Sequence, residues 1–514
     1  MDITGPKDFN LLVIGGGING AGIARDAAGR GLSVCLAEKG DLAGATSSAS
    51  TKLVHGGLRY LEHYEFRLVR ESLIERERLL AIAPHIIWPL RFVLPHDKGL
   101  RPRWLLRLGL FLYDHIGGRK LLPPARSLDL TRPPHAGVLD ERLTRGFEYS
   151  DCWVEDSRLV VLNAVDAAER GADIRTRTEC TGLERTRGQW QARLSGPAGT
   201  QTVTAKMVVN AAGPWVDTVL ARAMPGRNAS NLRLVKGSHL IFPRLFQGDH
   251  CYIFQNRDGR IVFAIPYEGE FTLVGTTDVA FEGDPAGIAI SPAEADYICA
   301  AVNEYLAVDV SPDQAVWSYA GVRPLYDDQS ANNSTVTRDY VFELDRGLND
   351  EGAALLSIFG GKITTYRKLA EHALEKLGVG ERSWTADAAL PGGDIPALDF
   401  EGFVAAQAAI QPWLPAPVLQ RMARAYGTRL GAVLGDAGAF GDLGQHFGAG
   451  LTAAEVIYLV RHEYARSAED VLWRRSKLGL HMSAEERESL SHWFERAQIE
   501  DQAISAATQS ASDR

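Results

Sequence analysis

A chain of 514 residues with 45% apolar and 23% charged residues has the make-up of a folded globular protein too long for one core, so two or three domains are expected. Its formal net charge of −9 argues against nucleic acid as a partner, because duplex binding rests on a basic face. Five cysteines (Cys35, Cys152, Cys180, Cys251 and Cys299) lie far apart, with no C-x-x-C pair and no histidine at ligand spacing, so they read as reduced, buried thiols of a cytosolic protein with no metal site.

The first eight residues are polar, and no apolar run approaches the roughly 18 residues of a spanning helix. The protein is expected to be neither secreted nor transmembrane, with a membrane surface still open to it. Phe9 to Ile14 is a short run of β-formers that leads into Gly15-Gly16-Gly17-Ile18-Asn19-Gly20, a match to G-x-G-x-x-G. A helical pattern with a small face follows (Ala21, Gly22, Ala24, Ala27, Ala28), then a strand from Gly31 to Ala37 that ends at Glu38, 23 positions after Gly15. Strand, glycine turn, helix, strand and terminal acid form the order of a dinucleotide-binding βαβ unit. Gly15, Gly17 and Gly20 would let backbone N–H groups approach a pyrophosphate where Ile18 and Asn19 open the helix, while Glu38, next to Lys39, would accept from ribose hydroxyls.

NAD and FAD share this fingerprint. The stretch from Asp41 to Thr51 is small and hydroxyl-rich, with Thr46, Ser47 and Ser48 at its centre, and suits a second nucleotide or a flavin ribityl chain; an ordinary polar loop is the plain alternative. Lys52, Leu53 and then His55-Gly56-Gly57-Leu58-Arg59-Tyr60 continue it. From Leu100 to Tyr113, apolar and aromatic bulk alternates with Arg101, Arg103 and Arg107, which fits either insertion at a lipid interface or a buried amphipathic helix with snorkelling arginines. Lys206 to Asn210 reads as a buried strand ending in a small-residue turn, Ala211-Ala212-Gly213, ahead of Trp215. Strands are expected at Cys251 to Phe254, Ile261 to Pro266 and Phe271 to Gly275. Pro391-Gly392-Gly393-Asp394-Ile395-Pro396 marks a linker, after which helix-period patterns run to a polar tail.

Together, Ala45 to Leu53 and His55 to Phe66 resemble the aerobic, FAD-dependent glycerol-3-phosphate dehydrogenase family, which includes glycerophosphate oxidases. The resemblance extends through Gly146–Trp153, Leu234–His239, Gly275-Thr276-Thr277-Asp278, Gly321-Val322-Arg323-Pro324-Leu325, Thr337-Arg338-Asp339-Tyr340, Phe359–Lys368 and Asp470–Arg475. One departure is the turn before Gly213, where related proteins often carry threonine and this chain has Ala212.

The resemblance implies an α/β fold with a Rossmann-type FAD-binding domain of the glutathione-reductase and D-amino-acid-oxidase kind, a mixed-sheet substrate domain and a C-terminal all-α cap. Residues 8–82, 150–232 and 338–385 would make the FAD domain, 83–149 and 233–337 the substrate and membrane-facing domain, 397–504 the cap and 505–514 a disordered tail. The implied reaction oxidises sn-glycerol 3-phosphate to dihydroxyacetone phosphate by hydride transfer from C2 to flavin N5, with electrons passed to a membrane quinone. The implied location is cytoplasmic, bound peripherally to the anionic inner face of the cell membrane, with a homodimer left open.

Within that scheme His55 is the candidate base, since imidazole titrates near neutrality; a histidine that only bonds backbone in a glycine turn is the alternative. Arg59, Arg323 and Arg338 are the candidate phosphate ligands, because guanidinium groups offer paired N–H donors. Tyr60, Thr277 and Asp278 are expected near the substrate. Gly361, Lys362, Ile363 and Thr364 would bring a helix N-terminus to the flavin, with Lys362 at flavin or substrate. An O₂-using glycerol-phosphate oxidase is the nearest rival, followed by an amine or amino-acid oxidase on the same scaffold and a non-enzymatic FAD-binding regulator.

Overall fold

The computed structural model describes residues 7–97, 101–186, 188–224, 231–327, 339–347, 352–380 and 382–496. Arg338 and the tail from Ser505 to Arg514 fall outside them. The chain divides into two compact units, Met1–Leu390 and Pro391–Arg514.

The first unit holds two sheets. In one, Ala354–Phe359, Gly199–Asn210, Lys7–Ile14, Val34–Ala37 and Asp173–Arg175 run parallel in that spatial order. Val341–Asp345 closes one edge antiparallel, and the hairpin Glu179–Thr186/Gln189–Gly196 extends from Gly199–Asn210. The central strands are continuous apolar runs rather than alternating ones, and Leu11, Leu12, Val13, Val208 and Val209 are all inaccessible to solvent, as parallel strands shielded on both faces require. Helix Ile18–Gly29 packs against helices Asp156–Glu169 and Tyr366–Lys376. Its small face permits this: a Cβ on Gly22 would stand 2.7 Å from the Tyr366 ring.

The second sheet contains the three strands expected from the sequence as an antiparallel meander, observed as His250–Gln255, Ile261–Tyr267 and Phe271–Gly275. Leu232–Pro243 pairs on one side with Phe271–Gly275 and on the other with Trp317–Tyr326. At the far end Ile87–Pro95, Arg145–Val154 and the two-residue strand Leu53–Val54 follow in turn. The chain leaves the first sheet after Val34–Ala37 and joins the second at Leu53–Val54, just before His55.

The second unit is largely helical, with helices Phe400–Ile410, Ala416–Tyr426, Leu430–Leu434 and Ala453–His462 around a core that includes Leu419, Met422, Tyr426, Val456, Leu459 and Val471. Against an all-α expectation it also carries a short hairpin, His446–Gly448 with Leu451–Thr452. Glu455 is buried there between Arg421, at 2.6 Å, and the Tyr426 hydroxyl, at 2.7 Å.

Candidate functional site

At the end of the first strand, Gly15 has φ +111°, and a Cβ on it would lie 2.5 Å from the Ala211 carbonyl oxygen. A Cβ on Gly20 would come within 1.9 Å of the Gly15 carbonyl. Only glycine allows the turn, the helix and the neighbouring strand end to close on one another here. Gly17 starts helix Ile18–Gly29 without a side-chain cap, and the Ile18 N–H donates to Ser47 Oγ at 3.0 Å.

Glu38 spans the mouth of this turn, its carboxylate accepting from the Gly16 N–H at 2.6 Å and the Gly40 N–H at 2.7 Å. Burial pushes its pKa upward against those two donors. Lys39 places its ammonium 3.5 Å over the Trp215 ring, tying the second strand's end to the Gly213–Trp215 turn. Asn19 donates through Nδ2 to the Gly360 carbonyl at 3.0 Å, while its Oδ1 is buried with no hydrogen-bond partner. A Cβ on Gly361, at φ +103°, would press to 2.9 Å from Asn19 Nδ2, so the start of the first helix and the Gly360-Gly361 turn are in direct contact.

The hydroxyls of the Asp41–Thr51 stretch are engaged by the protein itself. Thr46 Oγ1 donates to the Val322 carbonyl at 2.7 Å, Ser48 Oγ to Ala45 O at 3.1 Å, and Ser47 Oγ accepts from the Ile18 N–H. Only the Ser48 bond is local; those of Thr46 and Ser47 tie the loop to backbone 276 and 29 residues away. Lys52, expected at the cofactor, is instead buried in an ion pair with Asp156, with Nζ 2.9 Å from both carboxylate oxygens and 3.1 Å from Ser48 O. It supports the loop from beneath, and neighbouring Leu53 is buried in its short strand.

The second sheet presents side chains. Arg323 lies on Trp317–Tyr326 opposite Val235; its Nη1 donates to Asp278 Oδ1 at 2.9 Å and its Nη2 to Thr276 Oγ1 at 3.5 Å. Thr277, expected at substrate, is buried: its hydroxyl accepts from the Ser238 N–H at 3.0 Å and donates to Glu294 at 2.9 Å. Thr277 therefore holds the turn that carries Asp278. Burial would raise the Glu294 carboxyl, but Lys236, Ser291 and Ser238 outweigh it and bring it down to about 2.

Between the two sheets the His55 N–H donates to Thr364 Oγ1 at 3.2 Å, and Gly57 adopts φ +72° at the start of the 3₁₀ turn Leu58–His63. Arg59 and Tyr60 lie on that turn. Lys362 sets its ammonium 4.0 Å from the centre of the Tyr60 ring, and Ile363 and Thr364 begin the turn that enters helix Tyr366–Lys376. A Cβ on Gly360 would stand 3.8 Å from the Pro324 carbonyl, and one on Gly321 would stand 2.6 Å from Ala49 Cβ. The segments bearing His55 and Tyr60, Arg323, and Lys362 thus meet around the Gly360-Gly361 turn.

His239 was given no role by sequence reasoning. It is buried, stacks on Tyr319 with ring centres 4.7 Å apart, and lies 3.0 Å from Thr51 Oγ1 through Nε2. Burial, with Arg323 and Lys52 nearby, holds it well below the ordinary imidazole value. Its partners are far away in the chain, so no local signal marks it.

Residues 10–367 match the family described as FAD dependent oxidoreductase, and residues 383–498 match the C-terminal domain of alpha-glycerophosphate oxidase. The chain is 52% identical over 501 residues to D-erythritol 1-phosphate dehydrogenase of Brucella abortus, covering 96% of this chain and 99% of that protein. It is 51% identical over 493 residues to glycerol-3-phosphate dehydrogenase of Pseudomonas aeruginosa, covering 95% of each. Among solved structures, the glycerol-3-phosphate dehydrogenase of Bacillus halodurans complexed with FAD superimposes with a TM-score of 0.73 at 30% identity, over 97% of this chain and 91% of that one. The residues present fit FAD: a turn at Gly15 and Gly20 so tight that any Cβ would strike backbone, an unpartnered Asn19 Oδ1, and a carboxylate at Glu38 beside the turn. On this match of sequence, architecture and cradle, the chain belongs to the family of FAD dependent oxidoreductases, in the branch that carries the alpha-glycerophosphate oxidase C-terminal domain.

Proposed function

We propose that the protein oxidises sn-glycerol 3-phosphate to dihydroxyacetone phosphate and delivers the electrons to a quinone at an anionic membrane surface. The observation that carries this reading is the meeting of the His55–Tyr60, Arg323 and Lys362 segments at the Gly360-Gly361 turn, beside the glycine cradle. When bound, FAD supplies the two-electron acceptor for the hydrogen on C2. His55 takes the C2 hydroxyl proton on its ring, its backbone pinned by Thr364 so that the imidazole keeps its place. Arg323, steadied by Asp278, receives the phosphate together with Arg59 and Arg338, and Lys362 adds positive charge on the same side. Free glycerol brings these cations no anionic group and should be a poor substrate.

Residues 8–82, 150–232 and 338–385 form the cofactor domain in this proposal, 83–149 and 233–337 the substrate and membrane side, and 397–504 the cap. Among the described residues no helix is long and apolar enough to cross a membrane. Helix Arg103–Ile116 buries only Leu110 and Tyr113; Trp104 is 69% exposed and Phe111 56%, with Leu108, Arg103 and Arg107 exposed beside them. A buried amphipathic helix would not show that face, whereas lipid contact and anionic headgroups suit it.

The 52% identity to a D-erythritol 1-phosphate dehydrogenase favours a second reading, in which the substrate is one carbon longer but keeps a secondary alcohol next to the phosphate-bearing carbon. Anaerobic addition of each polyol phosphate, followed by the loss of flavin absorbance, separates the two. Glycerol 3-phosphate should bleach the flavin with the higher kcat/KM, and a preference of about tenfold or more for erythritol 1-phosphate would replace the first reading. Restoring the colour with a quinone, and with air in a parallel sample, tests the acceptor: rapid peroxide formation in air would favour an oxidase.

A further inference from the structure

We propose that Tyr113 is a positioning residue for the His55-Gly56-Gly57 loop, linking that loop to helix Arg103–Ile116. The inference deepens the reading of His55 as the base and rests on it. Tyr113 is 2% exposed, and its hydroxyl donates to Asp151 Oδ2 at 2.7 Å while accepting the Gly56 N–H at 2.8 Å. The same N–H reaches Asp151 Oδ1 only at 3.3 Å. Asp151 is fixed in turn by Arg76, whose Nη1 donates to it and to the Ser150 carbonyl, each at 2.7 Å. Burial and the Asp151 charge push the Tyr113 phenol well above its ordinary pKa, so it stays protonated with its hydrogen on Asp151 and a lone pair on Gly56.

The contact is close. A Cβ on Gly56 would lie 2.7 Å from the Tyr113 oxygen and 2.3 Å from Leu73 Cδ2. Gly56 and Gly57 have no side chains with which to anchor themselves, so the loop depends on backbone hydrogen bonds. The His55 N–H is held by Thr364 and the next N–H by Tyr113, from two elements far apart in sequence. Two adjacent amides held in this way fix the direction in which the His55 side chain leaves the backbone. Tyr113 is also one of only two buried side chains on its helix, Leu110 being the other.

The test is Tyr113→Phe in the full-length holoenzyme, with Leu110→Ala as the variant that loosens the same helix and spares the hydroxyl. In Tyr113→Phe, amide exchange over residues 53–58 should speed up and kcat per bound FAD should fall about tenfold, the order expected for one lost hydrogen bond, with KM within about twofold. Leu110→Ala should keep loop exchange and kcat as in the wild type, even where its melting point is lower. Unchanged loop exchange in Tyr113→Phe, unchanged kcat per bound FAD, or an equal kcat loss in Leu110→Ala would each overturn the proposal. The exchange measurement needs no substrate, so a wild-type enzyme inert toward both polyol phosphates would sink the functional reading while leaving Tyr113 to be judged separately.

Discussion

Along the first sheet the candidate site is made of backbone: Gly15 at φ +111° against Ala211, Gly20 against the Gly15 carbonyl, and the Gly16 and Gly40 amides on Glu38. Along the second it is made of side chains held by side chains. Asp278 holds Arg323, Thr277 holds the turn carrying Asp278, and Glu294 holds Thr277. A backbone site has no slack, because a single added carbon collides with main chain that cannot rotate away. A relay of side chains gives way one hydrogen bond at a time. Function should therefore be lost abruptly on the first sheet and gradually on the second.

The largest effect is expected at the cradle. Gly20→Ala places a Cβ 1.9 Å from the Gly15 oxygen, and the purified variant should be colourless, with FAD content near zero by absorbance. A yellow Gly20→Ala protein with normal FAD stoichiometry would break the comparison at its strongest point. Next comes the buried pair beneath the loop between the sheets. Lys52→Met leaves the Asp156 charge uncompensated, which costs about 3–5 kcal/mol and should lower the melting temperature by several degrees, measured by calorimetry.

On the second sheet, Arg323→Ala should raise KM for the polyol phosphate by roughly 10- to 150-fold, the equivalent of losing charge-assisted bonds of about 1.5–3 kcal/mol. FAD content should be intact, and a wild-type KM would remove Arg323 from the phosphate site. The smallest effect concerns Glu294, whose carboxyl is depressed from an ordinary 4.5 to about 2. A depressed folded-state pKa contributes stability that is complete above pH 4.5 and is lost as the pH falls from there toward 2. Melting curves across that window should be less pH-dependent in Glu294→Gln than in the wild type.

The same contrast explains what could be read in advance. The βαβ order from Phe9 to Glu38 was legible because each part is local: a β-forming run, glycines where Cβ atoms cannot fit, and a helix face of alanines that packs closely. Lys52 and Thr277 carry polar groups suited to a ligand, yet both are turned inward, toward Asp156 and Glu294 respectively. Those partners lie 104 and 17 residues away, and nothing in the local pattern announces them. His239 escaped notice for the same reason, its neighbours Thr51 and Tyr319 being brought to it only by strand pairing and loop closure. The helix with Arg103, Trp104 and Phe111 left two readings open, and its exposed face speaks against full burial.

By itself the sequence determined the glycine cradle, the alternation of strands and helices around it, and the residue types able to meet a phosphate, because backbone sterics and side-chain periodicity act over a few residues. Only the tertiary structure decided which cations are engaged by buried acids, which turn meets which strand end, and that Tyr113 reaches Gly56. Burial and hydrogen-bond partnership are set by segments distant in the chain, and they determine whether a polar group serves the fold or faces a ligand.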